Sequence, residues 1–215
     1  LETKAMQQNL AFVSAEQIGG ALGKDGRVAI YGIYFDFDKA DILSDDVSNL
    51  DRKAAIMQAN PGVRLRVSGH VPAFMTAEQA VRAGYDEIQH MNMLFLNFMA
   101  DRVPDTRGPA RFTVLGEQAA LLDLDSDPVR RFVALLKERR TVIDPTLGIF
   151  ESFFTDRPGH VSAVLAPVAD RLPPQVRRSA LDGGLPVPEG MDQRYRDSFQ
   201  AMKRFLVVLV REGIP

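Results

Sequence analysis

The chain has 215 residues, 46% hydrophobic and 25% charged, enough for one large domain or two small ones with a real core. Its 26 basic and 28 acidic residues leave a net charge of −2, so the basic excess of a nucleic-acid-binding protein is missing. There are no cysteines, which excludes disulfides, thiol catalysis and cysteine metal sites. No run of about 18 apolar residues reads as a transmembrane helix. No apolar segment follows Leu1-Glu2-Thr3-Lys4, as a signal peptide would require.

Residues 3–23 read as a modest helix weakened by Gly19 and Gly20, followed by a turn at Lys24-Asp25-Gly26. Residues 27–37 are β-branched and aromatic, hence a strand, with Tyr34, Asp36 and Asp38 on one face and Phe35 and Phe37 on the other. Ser44 and Asp45 can cap a helix over about 45–59, whose stripe is Val47, Leu50, Ala54 and Met57. Asn60-Pro61-Gly62 ends it, and residues 63–69 form the next strand. Strand, helix and strand make a βαβ unit with parallel strands and a right-handed crossover.

Beyond Pro72, Thr76-Ala77-Glu78-Gln79 is a capping box for a short helix ending at Gly84. A short strand at 85–90 precedes helical or irregular structure over 92–100 and a polar loop at 101–109. Residues 110–122 read as a helix, and Asp127 caps another over 128–139 with Pro128 at its first position. Residues 141–144 form a strand stopped by Pro145. The proline- and glycine-rich segment 155–190 reads as a long surface excursion with a short helix near 173–181. Residues 191–212 form a long amphipathic helix with Tyr195, Phe199, Met202, Phe205, Leu206 and Leu209 on its apolar face. The alternation predicts an α/β fold, a parallel sheet of about four strands flanked by helices.

Ile33-Tyr34-Phe35-Asp36-Phe37-Asp38-Lys39-Ala40-Asp41, the helix ending at Asn60-Pro61, and Leu65-Arg66-Val67-Ser68-Gly69-His70 carry one resemblance. Over residues 1–70 the chain resembles the OmpA-like peptidoglycan-binding family, which implies a cell-envelope binding module. That family continues Gly-His-Thr-Asp. Val71-Pro72 stand here instead, so the resemblance does not extend to the diaminopimelate-holding Asp, and peptidoglycan is not an expected partner.

Gly69-His70-Val71-Pro72, Ala80-Val81-Arg82-Ala83-Gly84-Tyr85-Asp86-Glu87-Ile88-Gln89-His90 and Thr141-Val142-Ile143-Asp144-Pro145-Thr146-Leu147 carry a second. Over residues 67–215 the chain resembles the metal-dependent amidohydrolase superfamily, in its imidazolonepropionase- and prolidase-like branch. The resemblance implies a partial (β/α) barrel and hydrolysis of amide or cyclic amide C–N bonds by metal-activated water. By position, His70 and His90 would be metal ligands. The family's His-x-His, bridging lysine and last-strand Asp have no counterpart, and Arg211-Glu212-Gly213-Ile214-Pro215 look like the lead-in to the eighth strand. The parent families suggest the bacterial cell envelope or the cytoplasm. Together the two resemblances imply a chimera, residues 1–70 and 71–215 packed as one domain, in which both parent sites are incomplete. A scaffold without catalytic activity is the reading this favours.

Neighbouring parallel strands lie about 4.8 Å apart, so histidines at their C-terminal ends can share a zinc or similar divalent ion. A third ligand could come from Asp36, Asp38 or Asp144, each near a predicted strand end. The plain alternative is that His70 and His90 bind no metal and are simply hydrogen-bonded or solvated. Asp36 and Asp38 could equally be a solvated strand end, and His160 lies in the proline-rich loop. The apolar run Met91–Met99 fits a pocket wall, a membrane-contacting patch or, most commonly, core. A barrel with half its strands leaves sheet edges and helix faces uncovered, so homo-oligomerisation is expected.

Overall fold

From residue 66 onward three short strands are set among helices in the computed structural model, which describes residues 66–215 and, before them, Gly20, Lys24, Gln58 and Gly62. Gly20, Lys24 and Gln58 are helical and Gly62 lies in a turn; at Lys24 this replaces the expected turn. The remainder of the expected elements at 3–23, 27–37 and 45–59, with Asp36 and Asp38, lies outside the described residues. By compactness the chain divides into two units, Leu1–Leu65 and Arg66–Pro215. The division falls just before Ser68-Gly69-His70.

The second unit is α/β. Three short strands, β1 (Ser68–Gly69), β2 (Glu87–Gln89) and β3 (Val142–Asp144), form a parallel sheet in that order. Ser68 and Gly69 pair with Glu87 and Ile88, which in turn pair with Val142 and Ile143. Ile88 and Ile143 are buried while their strand neighbours are less so, the alternation that a pleated strand imposes. Pro215 returns to the outer side of β3, where its carbonyl accepts from Ile143 N at 2.8 Å.

Helix α1 (Ala77–Arg82) joins β1 to β2 and starts at the expected capping box. Thr76 Oγ1 accepts from Gln79 N at 3.1 Å, and Gln79 Oε1 accepts from Thr76 N at 2.8 Å. Two of the four orphan N–H groups at that end are thereby satisfied. Four elements separate β2 from β3: α2 (Met91–Leu96), α3 (Ala110–Gln118), a 3-10 turn (Ala119–Leu121) and α4 (Asp127–Arg139). All six residues of α2 are buried, so the apolar run is core. Helix α4 begins one residue earlier than the sequence suggests. Ser126, not Asp127, is its N-cap, because Asp127 already has helical geometry.

Helix α5 (Leu147–Thr155) was not expected. It contains Gly148, lacks a side-chain cap and is rich in aromatic residues, so local propensity does not announce it. Burial makes it helical: Phe150 and Phe154 enter the core, and the Phe154 ring lies 5.8 Å from that of Tyr195. The stretch 155–190 is mostly exposed, as expected, and carries a 3-10 segment at Ala166–Arg171 and α6 (Pro174–Ser179).

Helix α7 (Asp192–Arg211) organises the core. It packs on α3, the 3-10 turn and α5. Tyr195, Phe199, Met202, Phe205 and Leu209 are buried as their spacing predicts, each apolar side chain contributing about 1.5–3 kcal/mol. Phe205 meets Phe95 of α2 edge to face, with centroids 5.4 Å apart. Ser198, fully buried, donates to Gly116 O at 2.7 Å and accepts from Ala120 N at 3.1 Å, so its hydroxyl is satisfied. Despite its 20 residues α7 is strongly charged, and no helix among the described residues is long and apolar enough to cross a membrane.

Helix α7 approaches α3 closely at Gly116, where a Cβ would run into the ring of Tyr195. Gly116→Ala is expected to destabilise the fold by about 1–3 kcal/mol, as overpacking does. Urea unfolding followed by circular dichroism would show this as a lower midpoint with an unchanged slope.

Candidate functional site

Parallel pairing brings the ends of the three strands to one edge, where ligands of α/β proteins bind. Each strand ends in unusual backbone. Gly69 has φ 146°, His90 has φ 73° and Thr146, just past β3, has φ 42°. Glycine tolerates such values, but for His90 and Thr146 they cost on the order of 1–3 kcal/mol each. Tertiary contacts hold both residues there.

For His90 the contacts are specific. Its N–H donates to Asp144 O at 2.7 Å, and the next N–H, of Met91, donates to Pro145 O at 3.2 Å. Its ring Nδ1 is 2.7 Å from Thr146 Oγ1. The Asp144 carboxylate accepts from Thr146 N at 3.3 Å, the side-chain turn that Asp favours two residues upstream.

His70 follows β1 and is exposed, while His90 is half-buried. Their Nε2 atoms are in direct contact, and the ring centroids are 4.4 Å apart with planes inclined at 57°. Tyr85 donates to His70 O at 3.4 Å from the start of the next strand segment. The structure therefore brings together the two histidines singled out in the sequence. Asp144 is close enough to act electrostatically on His90, with its carboxylate engaged by Thr146 N. Among the described residues no group of three His, Asp or Glu side chains is placed to hold a metal ion. His160 is exposed, its Nδ1 3.3 Å from Pro158 O.

Partial burial, with the adjacent His70 ring and the Arg111 guanidinium, holds the His90 pKa below the ordinary imidazole range, while Asp144 opposes the shift. Neutral imidazole is the metal-binding form. Two neighbours were not recognised as site residues from the sequence. Thr146 could have been found from the Asp144-Pro145-Thr146 turn signal at a strand end. Arg111 gives no sequence signal, because only packing brings α3 near His90.

Beside the site, a cavity of about 200 Å³ opens behind Val71, lined by Phe74, Met75, Met93, Leu96 and Val103 among others. Neither histidine lines it.

Compared with protein-family models, with curated proteins and with solved structures, the chain matches none.

The depressed His90 pKa has a definite sign. Above about pH 6.5 the imidazole is neutral in both folded and unfolded chains, and the shift costs nothing. Below that, the unfolded chain binds the proton first, so stability falls with pH until the folded protein is protonated too. Calorimetry between pH 7.5 and 5.5 should show a declining melting temperature, with a shallower decline in His90→Asn.

Proposed function

We propose that residues 66–215 are an amidohydrolase-like α/β unit that binds a divalent ion of the zinc class through His70 and His90. One observation carries this reading: two imidazole Nε2 atoms converge from the C-terminal ends of adjacent parallel strands. The donor chemistry agrees with it. Imidazole nitrogens suit zinc, copper or nickel, whereas magnesium and calcium prefer oxygen. Partial burial and the His70 ring favour the neutral form of His90, and its second nitrogen is engaged by Thr146, as metal-ligating histidines commonly are. Asp144, which acts electrostatically on His90, would add a carboxylate to the donor set. On this reading the sheet extends to about four strands in a partial (β/α)-barrel arrangement. Bound there, the ion would supply Lewis acidity for hydrolysis of an amide or cyclic amide C–N bond.

A second reading is favoured by the donor count. Catalytic zinc normally has three protein ligands, and the described residues bring together two. A chimeric scaffold that holds metal without hydrolysing amides accommodates that count. An envelope-binding role would rest on the OmpA-like residues before 66, and Val71-Pro72 at the expected Thr-Asp weigh against peptidoglycan. Self-association is supported by an apolar cavity of about 360 Å³ bounded by Ile143, Leu206, Val210 and Ile214 on the outer side of β3.

The test is zinc titration of chelator-treated protein, followed by thermal melting and elemental analysis. One zinc per chain is expected, with stabilisation of about 2.7 kcal/mol at a hundredfold excess over Kd. His70→Ala and His90→Ala should each abolish the effect, and magnesium should produce none. A melting temperature indifferent to zinc would sink the metal-binding reading. With zinc bound, release of amine from dipeptides or cyclic amides distinguishes the hydrolase from the inactive scaffold.

A further inference from the structure

The end of β3 and the two residues after it hold His90 and its neighbour at three points: the Asp144 carbonyl accepts from His90 N, the Pro145 carbonyl accepts from Met91 N, and the Thr146 hydroxyl meets the His90 ring. The backbone contacts come from the carbonyls of Asp144 and Pro145 and need no particular side chain at 146. The third needs a hydroxyl. Thr146 provides it from a left-handed conformation, φ 42° and ψ 41°, which is unfavourable for a β-branched residue and far easier for Gly or Asn. The strained backbone is locked by the Asp144 carboxylate on Thr146 N. A residue chosen for the turn alone would not be threonine. Neither would one chosen to bury a methyl group, since Thr146 is only half-buried.

We propose that Thr146 is a positioning residue whose Oγ1 accepts a hydrogen bond from His90 Nδ1–H, leaving Nε2 as the bare nitrogen that faces His70. A neutral imidazole carries one proton, and which nitrogen bears it is set by the partner of the other. With Nδ1 protonated toward Thr146, the Nε2 lone pair of His90 points at the place where the His70 Nε2 also arrives. The inference rests on the metal-binding reading for its choice of donor and acceptor, because the Thr146 hydroxyl could otherwise donate to Nδ1. The Asp144-Pro145-Thr146 segment is thus a brace for the site: Asp144 sets the turn and Thr146 sets the tautomer.

The experiment uses the full chain with ¹⁵N-labelled histidine, free of metal, at a pH near 8 where His90 is neutral. Long-range ¹H–¹⁵N spectra of wild type, Thr146→Val and Thr146→Ser report the tautomer, with His90→Asn giving the assignment. Wild type and Thr146→Ser should show His90 protonated at Nδ1, and Thr146→Val should show loss of that preference. A wild-type His90 protonated at Nε2, or a tautomer unchanged in Thr146→Val, overturns the proposal. Zinc titration of the same samples adds a second readout. Affinity should fall about tenfold or more in Thr146→Val, as with other outer-shell partners of metal-bound histidine, and be retained in Thr146→Ser. If wild type binds no zinc, the metal-binding reading fails, and the spectra still decide the role of Thr146. Thr146→Ser eases the strain while keeping the hydroxyl, so a Thr146→Val that melts early is told apart from one that has only lost the hydrogen bond.

Discussion

The register of three short parallel strands is the constraint on which the rest of the site depends. Pairing of Ser68–Gly69 with Glu87–Ile88, and of Glu87–Gln89 with Val142–Asp144, sets the strand ends side by side. A slip of one residue would turn Ile88 and Ile143 out of the core and carry His90 away from His70. Such short strands have few hydrogen bonds of their own. They stay in place because Ile88 and Ile143 are buried and because Pro215 satisfies Ile143 N on the outer side.

Behind the sheet, α7 supplies the mass of the core. Its buried face packs on α3 and the 3-10 turn, which lie between β2 and β3, and on α5 beyond β3, and Tyr195 lies against Gly116 so closely that no side chain fits there. Buried Ser198 ties the end of α3 to the 3-10 turn and fixes the exit of that helix. At the start of α7, Asp192 accepts from Arg157 at 2.6 Å and from Arg196 at 2.7 Å, linking it to the residue just beyond α5. These contacts make a rigid platform, against which the positive-φ residues at the strand ends can be held.

The strand ends are where the backbone is strained. His90 and Thr146 have positive φ without being glycine, and they are hydrogen-bonded to each other. Neither conformation would persist in an isolated hairpin or turn. Each is over-determined by its neighbours, through carbonyls on one side and a carboxylate on the other. The cost is borne at the edge where two imidazoles converge.

Much of the fold from residue 66 onward was legible in the sequence, because local chemistry and burial agreed there. The Thr76–Gln79 box, the glycine and proline stops, and the apolar stripe of 192–211 each name their structure through hydrogen-bonding or periodicity that nearby residues alone impose. The candidate ligands His70 and His90 were legible as strand-end residues for the same reason. Tertiary structure decided the remainder. Helix α5 exists because Phe150 and Phe154 find Tyr195, a contact no local signal announces. The approach of Arg111 to His90 depends on how α3 is packed, and the meeting of the two imidazoles depends on strand register. The sequence by itself determined which side chains stand at strand ends; only the packed sheet decided which of them meet, since that depends on contacts between residues distant along the chain.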